Sequence, residues 1–331
     1  MKKGIIALVL ASIVMVGGMS SCANKKKEEK GKAAVPIRVD GKYGYMDKEG
    51  KVVVDPQFDG ADDFSEDLAI ILKDGMMGVI DRDGKIVVEP KYEKMSKFND
   101  GMALVVKDGK QGFIDKTGKE VVALQFEDAY PFGEGLAAVC KDGKFGFIDK
   151  SGNFVIEPKY MFAGVFSEGY APVMMDNEMW GYIDKNGDTV IEAKFAMARK
   201  FKDDRAAAHD GQRWGFISKK GDFVTEPYFT KVGDFSGGVA WVTLYGEKWG
   251  YSLKAGKYWY VTGAEYVGNY SEGLAAVVKN GKCEYMNRKG EIKFKTDYEL
   301  GEDYKDGLAR VWRDKKFGYI NKDGKIVWME K

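Results

Sequence analysis

A glycine recurs at almost constant intervals along this chain: Gly44, Gly78, Gly112, Gly146, Gly181, Gly215, Gly250, then Glu284 in one degenerate copy, then Gly318. The steps are 34, 34, 34, 35, 34, 35, 34 and 34 residues. A second column, Phe64, Phe98, Phe132, Phe166, Phe201, Phe235, Tyr270 and Tyr304, moves with the same steps. Two columns in lockstep define nine units, and a fixed period of this length means an array in which each unit buries its apolar face against its neighbours.

Turn chemistry marks the strands within a unit. In the fourth, "GLAAVCK" and "FGFIDK" flank Asp142-Gly143, and the same slot holds Asp40-Gly41, Asp74-Gly75, Asp108-Gly109, Asp210-Gly211 and Asn280-Gly281. Asp-Gly and Asn-Gly suit a type I′ hairpin, because both central residues need positive φ. A second turn, "DKSG" here and "DKEG", "DRDG", "DKTG", "DKNG", "NRKG" and "NKDG" elsewhere, leads into a third strand, "NFVIEPKY". Each unit is therefore expected to be a three-stranded antiparallel meander. A mid-strand glycine marks a close approach, so the Gly column is expected to admit a bulky side chain from an adjacent strand or unit. Pro56, Pro90, Pro158 and Pro227 cannot donate to a ladder and are expected to end the third strand. The aromatic column is expected to plug the space between units.

These phrases resemble the bacterial WG-repeat (KWG-repeat) family, over about residues 33–331. The Trp-Gly pair stands at Trp180-Gly181, Trp214-Gly215 and Trp249-Gly250, with Tyr43, Met77, Gln111, Phe145 and Phe317 in the tryptophan's place elsewhere. The resemblance implies a tandem β-repeat domain and carries no catalytic residues over. An all-β stack of nine units can stay open as a superhelix or close into a propeller-like ring. Units of about 34 residues are short for propeller blades, and no terminal strand offset of the kind that staples rings is visible. The expected architecture is the open β-superhelix, with the closed ring as the alternative.

The first 21 residues read as a secretion signal: Lys2 and Lys3, an uncharged run from Ile5 to Val16, then small residues. Met19-Ser20-Ser21-Cys22 resembles a lipobox, which makes Cys22 the expected lipidation site. Residues 22–32, with "KKKEEKGK", form the expected flexible tether, leaving 33–331 as the array. Ala23, where a retention signal would have aspartate, favours the outer membrane, and "KKEE" resembles a surface-export signal. Loss of Lys2 and Lys3 leaves 50 basic against 51 acidic residues, which disfavours nucleic acid as a partner.

A search for catalytic chemistry turns up little. His209 is the single histidine, and it reads as a strand-end side chain beside a turn. Cys140 and Cys283 occupy different strand slots and read as buried free thiols. The Asp-rich turns lack calcium-loop spacing, and turn chemistry accounts for their aspartates. No cofactor, metal or catalytic residue is expected. Trp180, Trp214 and Trp249 recur one unit apart, either as core packing or as a stacking ladder for sugar rings. Trp241, Trp259, Trp312 and Trp328 break the repeat and are expected to be exposed. The expected function is that of a non-enzymatic envelope lipoprotein whose array binds another envelope protein. The alternative is a carbohydrate-binding module or adhesin using the Trp and Tyr columns.

Overall fold

A computed structural model describes residues 32, 34–245 and 248–331. Cys22, the signal segment and all of the tether except Lys32 lie outside the described residues.

Each repeat folds into one small antiparallel sheet, and there are nine. Blade 4 shows the pattern: a two-residue leading strand, Asp128–Ala129, then Ala137–Lys141, Lys144–Ile148 and Phe154–Tyr160, in spatial order of sequence. The hairpin at Asp142-Gly143 has φ of 52° and 74°, as its turn type demands. In the second turn, the Asp149 carboxylate accepts the amides of Ser151 at 2.8 Å and Asn153 at 3.0 Å, which accounts for the aspartate. The leading strand was not expected. It pairs with the first long strand at Asp128↔Cys140 and Ala129↔Val139, so blades 2–9 have four strands, and only blade 1 has the three of the expected meander.

The third long strand runs through its proline instead of ending there. Phe145 pairs with Tyr160 and Phe147 with Ile156, so two extra residues are accommodated in a bulge that contains Pro158. A bulged position has no ladder partner, so the missing N–H costs nothing. In blades 1–6 the bulge also explains the Gly column. A Cβ on Gly146 would lie 2.5 Å from the Ile156 carbonyl oxygen and 2.7 Å from the Pro158 nitrogen. Backbone of the same blade, and not a bulky side chain from a neighbour, makes the close approach.

The aromatic column does plug the interblade space. Phe166 meets Phe147 of the preceding blade edge to face at 4.8 Å, and the same pairing recurs as Tyr45–Phe64, Phe113–Phe132 and Phe216–Phe235. Where the preceding blade offers a tyrosine, its hydroxyl donates to the next blade's backbone, as from Tyr182 to the Arg199 carbonyl at 2.7 Å. Burial of such pairs adds to the interblade adhesion.

The stack is a closed ring, a nine-bladed β-propeller, and the expectation of an open superhelix is corrected. Ala34, Val35, Ile37 and Met46 of blade 1 form one apolar cluster with Leu308, Phe317 and Tyr319 of blade 9. Tyr319 donates to the Pro36 carbonyl at 2.8 Å, and Arg38 forms a two-pronged pair with Glu330 at 2.7 and 2.9 Å. Among the described residues, no strand is shared across this seam. Blade 1, Val35–Val39, Lys42–Met46 and Val52–Phe58, lacks a leading strand among the described residues. Closure by side-chain packing leaves no strand offset in the sequence, which is why that criterion pointed to an open stack.

Candidate binding surfaces on the inner rim

The turn between the leading and first long strands carries the "FSEG" phrase, and here equivalent residues of successive blades touch. Ser65 donates to the Phe98 carbonyl at 2.8 Å, Ser236 to Tyr270 at 3.0 Å, and Asn99 to Phe132 at 2.5 Å. In a ring of wedges, equivalent points come together as the axis is approached, so these turns and the leading strands lie on the inner rim. The carboxylates of this turn are built into the ring. Glu66 accepts the Gly101 amide at 3.0 Å, Glu168 the Asp204 amide at 2.9 Å and Glu272 the Gly307 amide at 3.2 Å. A lysine from the "DK" turn of the next blade pairs with the same carboxylate, as in Lys150–Asp100 at 2.8 Å, Lys185–Glu134 at 3.3 Å and Lys322–Glu272 at 2.8 Å.

The two residues before the aromatic column also face this rim, and they differ from blade to blade: Asp62-Asp63, Ser96-Lys97, Tyr130-Pro131, Gly164-Val165, Arg199-Lys200, Gly233-Asp234, Gly268-Asn269 and Glu302-Asp303. Concavities form there. Across blades 4–7, a groove of about 440 Å³ is lined by Tyr130, Val165, Pro172, Trp180, Arg199, Lys200 and Asp234. Around the seam, about 470 Å³ opens between Asp63, Tyr266, Ser271, Glu302, Asp303 and Lys305. The rim is therefore polarised, with carboxylates gathered beside the seam and Lys97, Arg199 and Lys200 away from it. Burial holds the Asp303 carboxyl above the ordinary carboxylate range, against the pull of the Asn269 amide at 2.8 Å.

The three repeated tryptophans occupy one slot, at the start of the second long strand of blades 5, 6 and 7, and all are partly buried. Their surroundings differ. Trp180 lines the blade 4–7 groove. Trp214 is covered by the Arg199 guanidinium at 4.9 Å and by the His209 ring at 5.1 Å. Trp249 packs between Trp241 at 5.5 Å and Tyr266 at 5.4 Å. They do not share one open face.

Trp241, Trp259, Trp312 and Trp328 are not exposed as expected. Each is partly buried against the cluster of its own blade pair, because departures from the repeat here fill local space. His209 ends its strand as expected, and its Nδ1 accepts the Gly211 amide at 3.1 Å. Cys140 and Cys283 are buried free thiols, and burial pushes Cys283 up to about 12. Sequence reasoning missed Tyr130, Arg199 and Asp234. Their signal was the variable column itself, set between columns that hardly change.

A closed nine-bladed ring with variable residues gathered on its inner rim is the architecture of a β-propeller binding scaffold. The chain belongs to the family of WG-containing-repeat proteins, whose model matches eight segments between residues 43 and 316, among them 43–76, 112–145 and 214–249. No curated protein matches the sequence. In fold it is similar to a eukaryotic initiation factor, at a TM-score of 0.65 and 9% identity over 90% of this chain and 96% of that one. It is also similar to BamB from Moraxella catarrhalis, at a TM-score of 0.50 and 12% identity over 89% of this chain and 98% of that one. Identity this low carries the likeness no further than the fold.

Proposed function

We propose that this protein is a non-enzymatic binding scaffold of the bacterial cell envelope, held at the outer membrane by a lipid on Cys22, and that an envelope protein seats in the blade 4–7 groove. The observation that carries this reading is the convergence there of variable residues from four successive blades on a partly exposed tryptophan. A rigid ring presents these residues at fixed spacing, so little ordering entropy is lost on binding.

A second reading is a carbohydrate ligand. Trp180 lines the groove together with Lys200 and Asp234, the combination of apolar platform and polar groups that a sugar ring uses. One experiment separates the two. The purified protein is offered envelope proteins and envelope polysaccharides separately, with Trp180→Ala and Trp214→Ala in parallel. Saturable protein retention lost in W180A supports the scaffold, glycan retention competed by free sugar supports the second reading, and binding unchanged in W180A rejects the groove. W214A should lose stability instead, since Trp214 lies beneath Arg199. Cys22→Ser should release the protein from membranes, and unchanged fractionation would reject lipidation.

A further inference from the structure

The carboxylate ring on the inner rim has a gap. Six times, an acid at the third position of the "FSEG" turn accepts a backbone amide from the next blade's turn: Glu66, Asp100, Glu134, Glu168, Asp203 and Glu272. In blade 7 the phrase reads "FSGG", and Gly237 stands where the acid belongs. Two groups that an acid there would serve are present without it. The Gly273 amide, equivalent to the bonded amides of Gly101, Gly169 and Gly307, has no acceptor among the described residues. Arg288, which takes the place of the pairing lysine, is exposed and pairs with no carboxylate among them. Its guanidinium has moved into the vacated space, 2.0 Å from where a Cβ on Gly237 would sit.

We infer that this gap is a binding site for a carboxylate from outside the chain, either an Asp or Glu side chain or a free C-terminus of a partner polypeptide. The full geometry occurs five times within the molecule: at Glu66, Asp100, Glu134, Glu168 and Glu272, a backbone N–H from one turn and a lysine from the next blade converge on one carboxylate. Such charge-assisted bonds are the stronger class, and a guanidinium adds a second donor that lysine lacks. Neighbouring acids do not bar the site. Glu134 already sits between Asp100 and Glu168, and Glu168 between Glu134 and Asp203, so Asp203 and Glu272 flank the gap as acids flank those two. The site lies between blades 7 and 8 and does not depend on the blade 4–7 groove.

The gap can also be closed from within. Gly237 has φ of 61°, and the acids at the equivalent positions hold 50° to 57° in the same turn, so Gly237→Glu should be accommodated once the flexible Arg288 side chain swings aside.

The test uses the full chain labelled with 15N-glycine and three short blocked probes: acetyl-Gly-Glu-Gly-amide, acetyl-Gly-Gly-Gly with a free C-terminus, and acetyl-Gly-Gln-Gly-amide. A saturable shift of the Gly273 amide with either acidic probe, absent with the Gln probe, is expected, and the stronger acidic probe identifies the source of the carboxylate. Arg288→Met should weaken binding at least tenfold, and Gly237→Glu should abolish it. The Gly307 amide, already bonded to Glu272, should stay unmoved and report an intact ring. A Gly273 amide that does not shift, that shifts equally with the Gln probe, or that still titrates in G237E would overturn the inference.

Discussion

Arg310 and Asp63 stand 247 residues apart in sequence and 3.0 Å apart in space, a bond that runs from the last blade to the second, past the first. Lys305 makes the same crossing. It stands where Ser65, Ser236 and Ser271 stand in other blades, and its longer side chain reaches the Phe64 carbonyl, one blade further on. Substitutions at single positions thus tie the last blade to the second.

The ring should loosen first at this seam. With side chains 21% and 30% exposed, the Arg310–Asp63 pair lies between surface and core. Arg310→Ala should cost about 1–3 kcal/mol, and a double-mutant cycle with Asp63→Ala should show coupling of about 1–2 kcal/mol. Urea denaturation of the four proteins measures both. Additive effects would mean that the pair does not hold the seam.

Gly146→Ala should be among the most destabilising single changes, at about 2–4 kcal/mol, because the new Cβ meets backbone that cannot yield. Blade 8 provides the control. There Glu284 pairs directly with Lys295 and Tyr285 with Phe294, without the two-residue bulge, and the position already carries a side chain. Glu284→Gly should cost about 0.5–1 kcal/mol from backbone entropy, together with the loss of its contact to Lys295. Equal losses in the two variants would contradict the close backbone approach as the reason for the glycines.

In the carboxylate ring, the acid should matter more than the lysine. Glu134 accepts the Glu168 and Gly169 amides at 2.5 and 3.0 Å, whereas Lys185 adds a partly exposed pair at 3.3 Å. Glu134→Ala should cost about 1–2 kcal/mol and Lys185→Ala below about 1 kcal/mol. Burial pushes the Glu134 carboxyl up, but the two amides and Lys185 together hold it below its ordinary 4.5. Its contribution is therefore present above that value and lost as pH falls through the lowered one. Thermal melts from pH 7 downward should show wild type losing stability over this range faster than Glu134→Gln.

Asp303 should behave in the opposite way. Burial raises its folded value above the ordinary 3.8, so the folded state binds the proton more readily and stability declines as pH rises from 3.8 toward the raised value. Asp303→Asn, which can still accept the Asn269 amide, should raise Tm at pH 7, with the gain vanishing below pH 3.8. A variant that melts at or below wild type at neutral pH would show that the ionised carboxylate is stabilised by a partner at the seam.

Much of the site was legible only in part. Trp180 was singled out with Trp214 and Trp249 because they share a column, yet only Trp180 lines the groove, since Arg199 covers Trp214 and Trp241 with Tyr266 flanks Trp249. Column identity fixes a position in the blade and leaves open what the variable residues of the same and the next blade lay over it.

The sequence by itself determined the blade: its period, its Asp-Gly hairpins, its Asp-anchored second turns and its aromatic plug. Each is encoded within a few residues by φ preference, alternation or side-chain volume, and so survives without knowledge of the whole. Tertiary structure alone decided that the stack closes. Closure depends on a small rotation between blades accumulating to a full turn over nine of them. No local signal carries that angle, because it follows from how every plug seats against its neighbour. The residues that meet at the seam, Arg310 with Asp63 and Arg38 with Glu330, acquire their roles only once the ring has brought the two ends of the array together.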